Sequence, residues 1–474
     1  MHHYATWNGR RFISALLFAC LALAPLGCTT FPIRGHQVWR ALKANSPAGP
    51  PVESPGFTLA LDASLGVTAH PDTPVKLLQN GDETYPVMLE LIAAAQRRIS
   101  LETYIVGKDQ ITDQIFQALR DAAQRGVEVR LLVDAAGYDR GVIADMSEMK
   151  SPNLQARVFN PFLMSWTVIR GNNRDHRKIL VVDGHYAILG GINLSATQQG
   201  DGVSGWRDTA LLATGPVASD AEKIFAETWE QAGRGWLGKN LPVTILNPVK
   251  KTIDTPLLRL RQVLTGQTLF TPPDYVTPTG SDFFPPDFYT SLSATARAIG
   301  SSPDAGSSAT YDLYLQSILG ARERLDAAFA YFVPTQAMRQ ALVEAAKRGV
   351  KVRLLLPGLT DIMAVREIGM RSYNELLEAG VEIYEWPYPI LHAKTMAVDG
   401  RWLVVGSANM DSRSFFLNYE AVFAVQDPTL AETAHSQFAS DLALARPFTQ
   451  EDWKARGWRQ RLLETLLLPL AGQF

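Results

Sequence analysis

Cysteine is almost absent: among 474 residues only Cys20 and Cys28 occur. Both lie near the start, so nothing downstream can form a disulfide or a thiolate metal site. Neither sign of charge is in surplus, with 45 Lys and Arg against 47 Asp and Glu and a net charge of −2. A protein that grips duplex nucleic acid normally carries a basic excess to displace counterions from phosphates. The balance therefore weighs against a nucleic-acid partner while leaving room for a local basic groove. Charged residues make up 19% and hydrophobic residues 46%, which excludes a disordered chain. The length suffices for two domains, each with a full core. The N-terminal uncharged stretch, Phe12 to Gly27, is short of the ~20 apolar residues that a membrane span needs. It follows Arg10 and Arg11 and ends at Cys28, in the order of an export signal: basic, apolar, then a small residue at the boundary. The alternative is an uncleaved anchor, and either one brings the chain to a membrane.

Histidine is scarce too, at eight residues, yet two of them occupy matching places in a repeat. HRKILVVDGHYAILGGIN, His176 to Asn193, returns in outline as HAKTMAVDGRWLVVGSAN, His392 to Asn409. Both copies read His-x-Lys, four residues, Asp, six residues, Gly-Gly or Gly-Ser, one residue, Asn. On a strand, His-x-Lys sends both side chains to one face, so Lys178 accompanies His176 and Lys394 accompanies His392. The apolar runs Ile179–Val182 and Thr395–Val398 suit buried strands. Gly184 and Gly400 mark turns into returning strands that bring Asn193 and Asn409 back beside the His and Lys. One such copy alone is weak evidence, since a satisfied His and a solvated Lys at a strand edge look the same. Two copies with the same five-point spacing point to a single composite site.

The flanks repeat as well. AAQRGVEVRLLVD (Ala122–Asp134) matches AAKRGVKVRLLLP (Ala345–Pro357). In the first repeat, which begins at Val75, helices are expected at Tyr85–Arg98 and Thr112–Arg125, with strands at Ile99–Val106 and Val127–Val133. In the second, which begins near Ala298, helices are expected at Tyr311–Arg322 and Thr335–Arg348, with strands at Leu325–Val333 and Val350–Leu356. Strands alternating with helices predict an α/β fold with a mostly parallel sheet in each repeat. The organisation reads as a signal or anchor over 1–28, a tether and irregular lead-in over 29–74, and a first domain over 75–235. A linker or insert over 236–294 and a second domain over 295–474 follow. Within the insert, Leu269–Tyr289 is rich in Pro and aromatics, which suits either a lipid-facing cover for the cleft or a packed linker. The C-terminal Trp458–Leu468 stretch alternates basic and apolar residues, as an interfacial helix or a docked terminal helix would.

A phosphodiester repels nucleophiles, and its oxygens gain charge as the bond is cut. Two lysines and two asparagine amides supply an electrostatic cradle for that charge without a metal. Metal-assisted phosphate transfer needs clustered carboxylates, and Asp183 and Asp399 stand five residues beyond the Lys, so no metal and no cofactor are expected. These Asp complete the motif set with His176, Lys178, His392 and Lys394, although their place suits holding the strand turns better than touching substrate. Ser195 and Ser407 are further candidates for phosphate contact, and a structural role suits them equally. One His can attack phosphorus while the other protonates the leaving alcohol and then deprotonates the acceptor.

The duplicated motif resembles the HKD motif of the phospholipase D superfamily, and the resemblance runs from about Val75 to the C-terminus, interrupted by the insert. It implies two αβα repeats joined as a pseudo-two-fold dimer within one chain, hence a monomer, with His176 as nucleophile and His392 as acid and base. It also implies an acidic residue one strand beyond each motif, which points to Asp208 orienting His176 and Glu420 orienting His392. It places Glu102 and Tyr104 on a strand that reaches the cleft, where a core or surface role is equally open. YIVGKDQITDQIFQALRDAAQRGV and GSANMDSRSFFLNYE look like bacterial cardiolipin synthases, with Asp411, Arg413 and Ser414 in the DSRS segment. The implied activity is phosphatidyl transfer between glycerophospholipids, with phosphatidylglycerol as donor and acceptor. Hydrolysis to phosphatidic acid is the nearest alternative, and a nuclease or a membrane scaffold stands further off. Pro25-Leu26-Gly27-Cys28 resembles a bacterial lipobox, departing from it at Pro25, and would make the protein an envelope lipoprotein acylated at Cys28.

Overall fold

The computed structural model describes residues 48–138, 142, 145–146, 151–160, 172–233, 283–303 and 308–467. The signal stretch, Cys28 and most of the insert therefore lie outside the described residues. The first repeat supplies strands β1 (His70–Gln79), β2 (Arg98–Thr103), β3 (Glu128–Asp134), β4 (Leu154–Phe159), β5 (Ile179–Val182), β6 (Tyr186–Gly190) and β7 (Thr209–Thr214). The second supplies β8 (Ser291–Ser301), β9 (Arg324–Phe329), β10 (Phe332–Val333), β11 (Lys351–Pro357), β12 (Glu382–Trp386) and β13 (Lys394–Val398). It ends with β14 (Trp402–Gly406), β15 (Met410–Asp411), β16 (Glu420–Gln426) and β17 (Arg446–Phe448).

Fifteen of these strands form one sheet, in the order β17-β12-β11-β9-β13-β14-β16-β8-β1-β7-β6-β5-β2-β3-β4. The order is a palindrome about the antiparallel β1–β8 pair, apart from the extra β17, so the repeats are joined edge to edge by a pseudo-two-fold. The sheet corrects the expectation of mostly parallel pairing. Only β2–β3, β3–β4, β9–β11 and β11–β12 are parallel, and helices such as Gln110–Gln124 and Gln336–Lys347 cross between two of these pairs. The motif hairpins β5–β6 and β13–β14 turn back through three residues, Asp183–His185 and Asp399–Arg401, and so pair antiparallel, since a parallel pair needs a long crossover.

The periodic helices form where apolar spacing places them, with short caps. Asp109 and Thr335 accept the backbone N–H groups of Thr112 and Met338 and start the two matching helices. The expected tether is more structured than its composition suggests. Ser54 caps a helix, Pro55–Leu65, whose Phe57 and Leu61 join the second repeat's core, Phe57 packing edge-on against Trp402 at 5.1 Å. With so few residues buried, the helix leaves little periodic trace in the sequence. The described end of the aromatic insert takes the second of its two expected places. Phe284 stacks on Phe288 at 4.1 Å and meets Tyr186, at the turn end of β6 and away from the motif histidines. That end packs as a linker and does not cover the site.

Candidate active site

Asp183 and Asp399 sit where the two motif hairpins turn. Both adopt positive φ, 56° and 52°, and each carboxylate accepts three consecutive backbone N–H groups. The donors are Gln96, Arg97 and Arg98 for Asp183, and Arg322, Glu323 and Arg324 for Asp399. They bolt the turn to the start of the neighbouring strand, at the far end of the hairpin from the histidines. Their inclusion among catalytic candidates is corrected: they are structural.

At the other end, the two halves exchange backbone. His176 N–H donates to the Tyr419 carbonyl at 3.0 Å, and Tyr419 N–H donates to the Arg174 carbonyl at 2.8 Å. The symmetric counterpart joins Arg207 N–H to Ile390 and His392 N–H to Arg207, at 2.9 and 2.7 Å. This exchange carries each acidic residue to the opposite histidine. His176 Nδ1 lies 3.0 and 3.1 Å from the carboxylate oxygens of Glu420, and His392 Nδ1 lies 2.7 Å from Asp208 Oδ2. The expected pairing of Asp208 with His176 and of Glu420 with His392 is therefore reversed. With Nδ1–H donated to a carboxylate, Nε2 is the nitrogen left for chemistry on each ring.

Lys178 and Lys394 are buried and fold back, each Nζ donating to the carbonyl of its own motif histidine, at 2.6 Å for Lys178. The ring edge of Tyr104 meets His176 with centroids 5.2 Å apart, and Trp206 lies 5.1 Å from His392. Asn193 and Asn409 are held identically: the amide oxygens accept from the N–H groups of Ile105 and Tyr331, at 2.8 and 3.2 Å. The two expected serines do other work. Ser195 Oγ caps a short turn and bonds Asp109 and Thr197, while Ser407 Oγ donates to Glu420 and so fixes His176's partner. They are not even equivalent, because Ser407 matches Gly191 in the alignment of the two motifs.

Gln198 was not singled out by sequence. Its Oε1 accepts from Asn193 N–H at 2.5 Å, and its Nε2 donates to Asp208 Oδ2 at 3.2 Å. The signal lies in the repeat, since Ser414, five residues after Asn409, accepts from Asn409 N–H at 3.0 Å. Among the described residues, no three of His, Cys, Asp and Glu converge as a metal-binding group.

A family described as cardiolipin synthase, phospholipase D-like domain, matches residues 88–229 and 314–442, one segment in each half. The chain belongs to that family. The cardiolipin synthase of Geobacillus thermodenitrificans is 31% identical over 399 residues, covering 83% of this chain and 72% of that one. The cardiolipin synthase of Clostridium perfringens is 29% identical over 395 residues, covering 83% and 75%. Among solved structures, the phosphatidylserine synthase of Haemophilus influenzae superposes with a TM-score of 0.59 at 14% identity, covering 88% of this chain and 97% of that one. That likeness supports the fold.

The histidines and lysines of this phospholipase D-like site are buried, and burial sets its electrostatics. It holds His176 well below the ordinary imidazole range, with the cations of Lys178, Lys394 and His392 adding to the effect. His392 is lowered by burial and Lys394, against the pull of Asp208. Burial pushes Lys178 down to about 7 and Lys394 to about 8, and raises Glu420 to about 7 against the neighbouring Lys178. The protonated lysines are the forms that can neutralise phosphate, and that charge is lost as pH rises through these values. For a soluble phosphodiester whose leaving group needs no general acid, kcat/KM is expected to fall progressively from about pH 7 to pH 9 as the lysines lose their charge. A pH–rate profile checks this, and a basic limb first appearing near pH 10 would contradict it.

The halves differ beneath the rings. Glu102 and Asp175 are fully buried carboxyls that act on each other, beside the buried guanidinium of Arg177. Burial raises both, because two carboxylates in a dry interior cannot both ionise. The matching positions of the second half hold Ala328 and Leu391. Glu102 thus serves the support of the His176 segment and is not a substrate contact.

Gly191 has a steric reason to lack a side chain, since a Cβ there would meet Asp208 Oδ1 at 2.1 Å. Gly191→Ala is expected to displace Asp208 from His392 and lower kcat by on the order of 100-fold, with the fold retained by circular dichroism. Unchanged kcat would separate Asp208 from the function of His392.

Proposed function

We propose that this enzyme transfers a phosphatidyl group from phosphatidylglycerol to a second phosphatidylglycerol, giving cardiolipin and glycerol. The observation that carries the reading is the pair of buried histidines, each fixed at Nδ1 by a carboxylate from the other half and flanked by its own lysine. His176 Nε2 attacks phosphorus and forms a P–N bond, while the P–O bond to the leaving glycerol breaks. The departing oxygen takes the proton from Nε2 of the His392 imidazolium. Neutral His392 then removes the proton from an acceptor hydroxyl, which attacks phosphorus and releases His176. Lys178, Lys394 and the amides of Asn193 and Asn409 stabilise the charge on the phosphoryl oxygens in both steps. The names of the similar proteins support the substrate class, and the neutral overall charge suits lipid better than nucleic acid. Export and acylation at Cys28 belong to the same proposal and would place the site at an envelope membrane.

The test is product analysis. Purified protein in bilayers rich in phosphatidylglycerol is expected to form more cardiolipin than phosphatidic acid, measured by mass spectrometry. Phosphatidic acid dominating across a range of phosphatidylglycerol densities would make the enzyme a hydrolase.

A further inference from the structure

The last described helix, Trp458–Leu467, is docked through Gln460, Glu464 and Leu467 and turns an apolar stripe to water. Gln460 reaches Met370 Sδ at 3.3 Å, Glu464 pairs with Arg456 at 2.5 Å, and Leu467 packs on Val365 and Ile368. On the outer side Trp458, Leu462 and Leu466, four residues apart, form a single stripe, exposed by 70%, 49% and 64%. A helix that merely closed a core would bury that stripe. The helix Met363–Gly369, against which it packs, begins with further exposed apolar residues, Leu359, Ile362 and Met363.

This face borders the catalytic centre. Tyr331 packs in the same small cluster as Leu467, Val365 and Ile368, and its N–H is the donor that holds Asn409. Its hydroxyl donates at 2.8 Å to Asp361, within the exposed Leu359–Met363 segment. The exposed cations Arg371, Lys454 and Arg461 lie by the same helix: Arg461 donates to the Lys454 carbonyl at 2.7 Å, and Arg371 acts on the Glu464 carboxyl. Apolar residues to enter the acyl boundary and cations to meet phosphate headgroups are the two components of interfacial binding.

We infer that Trp458, Leu462 and Leu466, with Leu359, Ile362 and Met363, form the face by which the enzyme lies on an anionic phospholipid bilayer, bringing the His392 half of the site to its surface. The inference rests on the lipid reading of the site, and it goes further by naming the surface and orientation. Its occupant is a membrane of anionic lipid. A second copy of the chain is the competing occupant.

Hydrogen–deuterium exchange on the full chain tests it, with and without vesicles of phosphatidylglycerol or of phosphatidylcholine. Phosphatidylglycerol vesicles are expected to protect residues 458–467 and 359–363, with weaker protection from phosphatidylcholine. The double variant Leu462→Asp, Leu466→Asp should lose the protection and at least tenfold of its rate on bilayers. It should keep its rate on a monomeric short-chain phosphatidylglycerol, which also shows that it folds. Should that variant not fold, Lys454→Glu with Arg461→Glu must weaken protection by phosphatidylglycerol vesicles alone. No vesicle protection of these segments overturns the inference, as does a stripe variant that only converts a dimer to a monomer. Protection without turnover on either substrate would instead leave the face standing and remove the proposed reaction.

Discussion

Replacing either His176 or His392 by Ala is expected to lower turnover by on the order of 10,000-fold, and replacing both should cost little more. The structure makes the two rings one unit. Each is held by a carboxylate of the opposite half, each half's lysine lies beside its own histidine, and each histidine's charge state acts on the other. In the proposed cycle, removing His176 leaves no nucleophile, and removing His392 leaves the glycerol oxygen to depart without a proton and the acceptor to attack without a base. Either loss interrupts the cycle, so the losses do not add. Initial rates of lipid product formation, at matched circular dichroism, decide it. A single variant that kept a tenth of the wild-type rate, or a double variant far worse than both singles, would mean that the rings do not act together.

Much of this was legible in the sequence because it is written locally. Strand alternation places Lys178 beside His176, the expected Ile179–Val182 strand matches β5, and apolar spacing puts the expected helices Thr112–Arg125 and Thr335–Arg348 close to the observed Gln110–Gln124 and Gln336–Lys347. The cross-pairing was not legible. Glu420 lies 244 residues from His176 and Asp208 lies 184 from His392, and each is nearer in sequence to the histidine it does not serve. Only the backbone exchange at Tyr419 and Arg207 determines which acid meets which ring, and that exchange belongs to the pseudo-two-fold. Gln198 escaped notice for a related reason. Its counterpart is Ser414, a different residue type that performs the same N–H capping, so the repeat is conserved in geometry and not in letters. The parallel sheet was over-read because alternating strands and helices describe only the outer half of each repeat, whereas the motif strands are hairpins.

The crossed pairing gives the two carboxylates separable effects. A nitrophenol leaving group departs as a stable anion and needs no general acid, so in the proposed mechanism formation of the phosphohistidine depends on His176 and its orienting Glu420 alone. Release of the phosphoryl group still needs His392, oriented by Asp208, to deprotonate the acceptor. Asp208→Asn is therefore expected to give a burst of about one nitrophenolate per enzyme followed by a steady rate reduced on the order of 1,000-fold. Glu420→Gln should show no burst on the same timescale, because its nucleophile has lost the partner that fixes Nδ1–H. His392→Ala must then behave like Asp208→Asn, and His176→Ala like Glu420→Gln. The four variants in rapid-quench experiments separate two questions. If bursts appear for Glu420→Gln and His176→Ala, the crossed pairing stands and His392 is the nucleophile. If the burst survives in His392→Ala and Glu420→Gln but is lost in His176→Ala and Asp208→Asn, each acid serves the histidine of its own half and the crossed site is wrong.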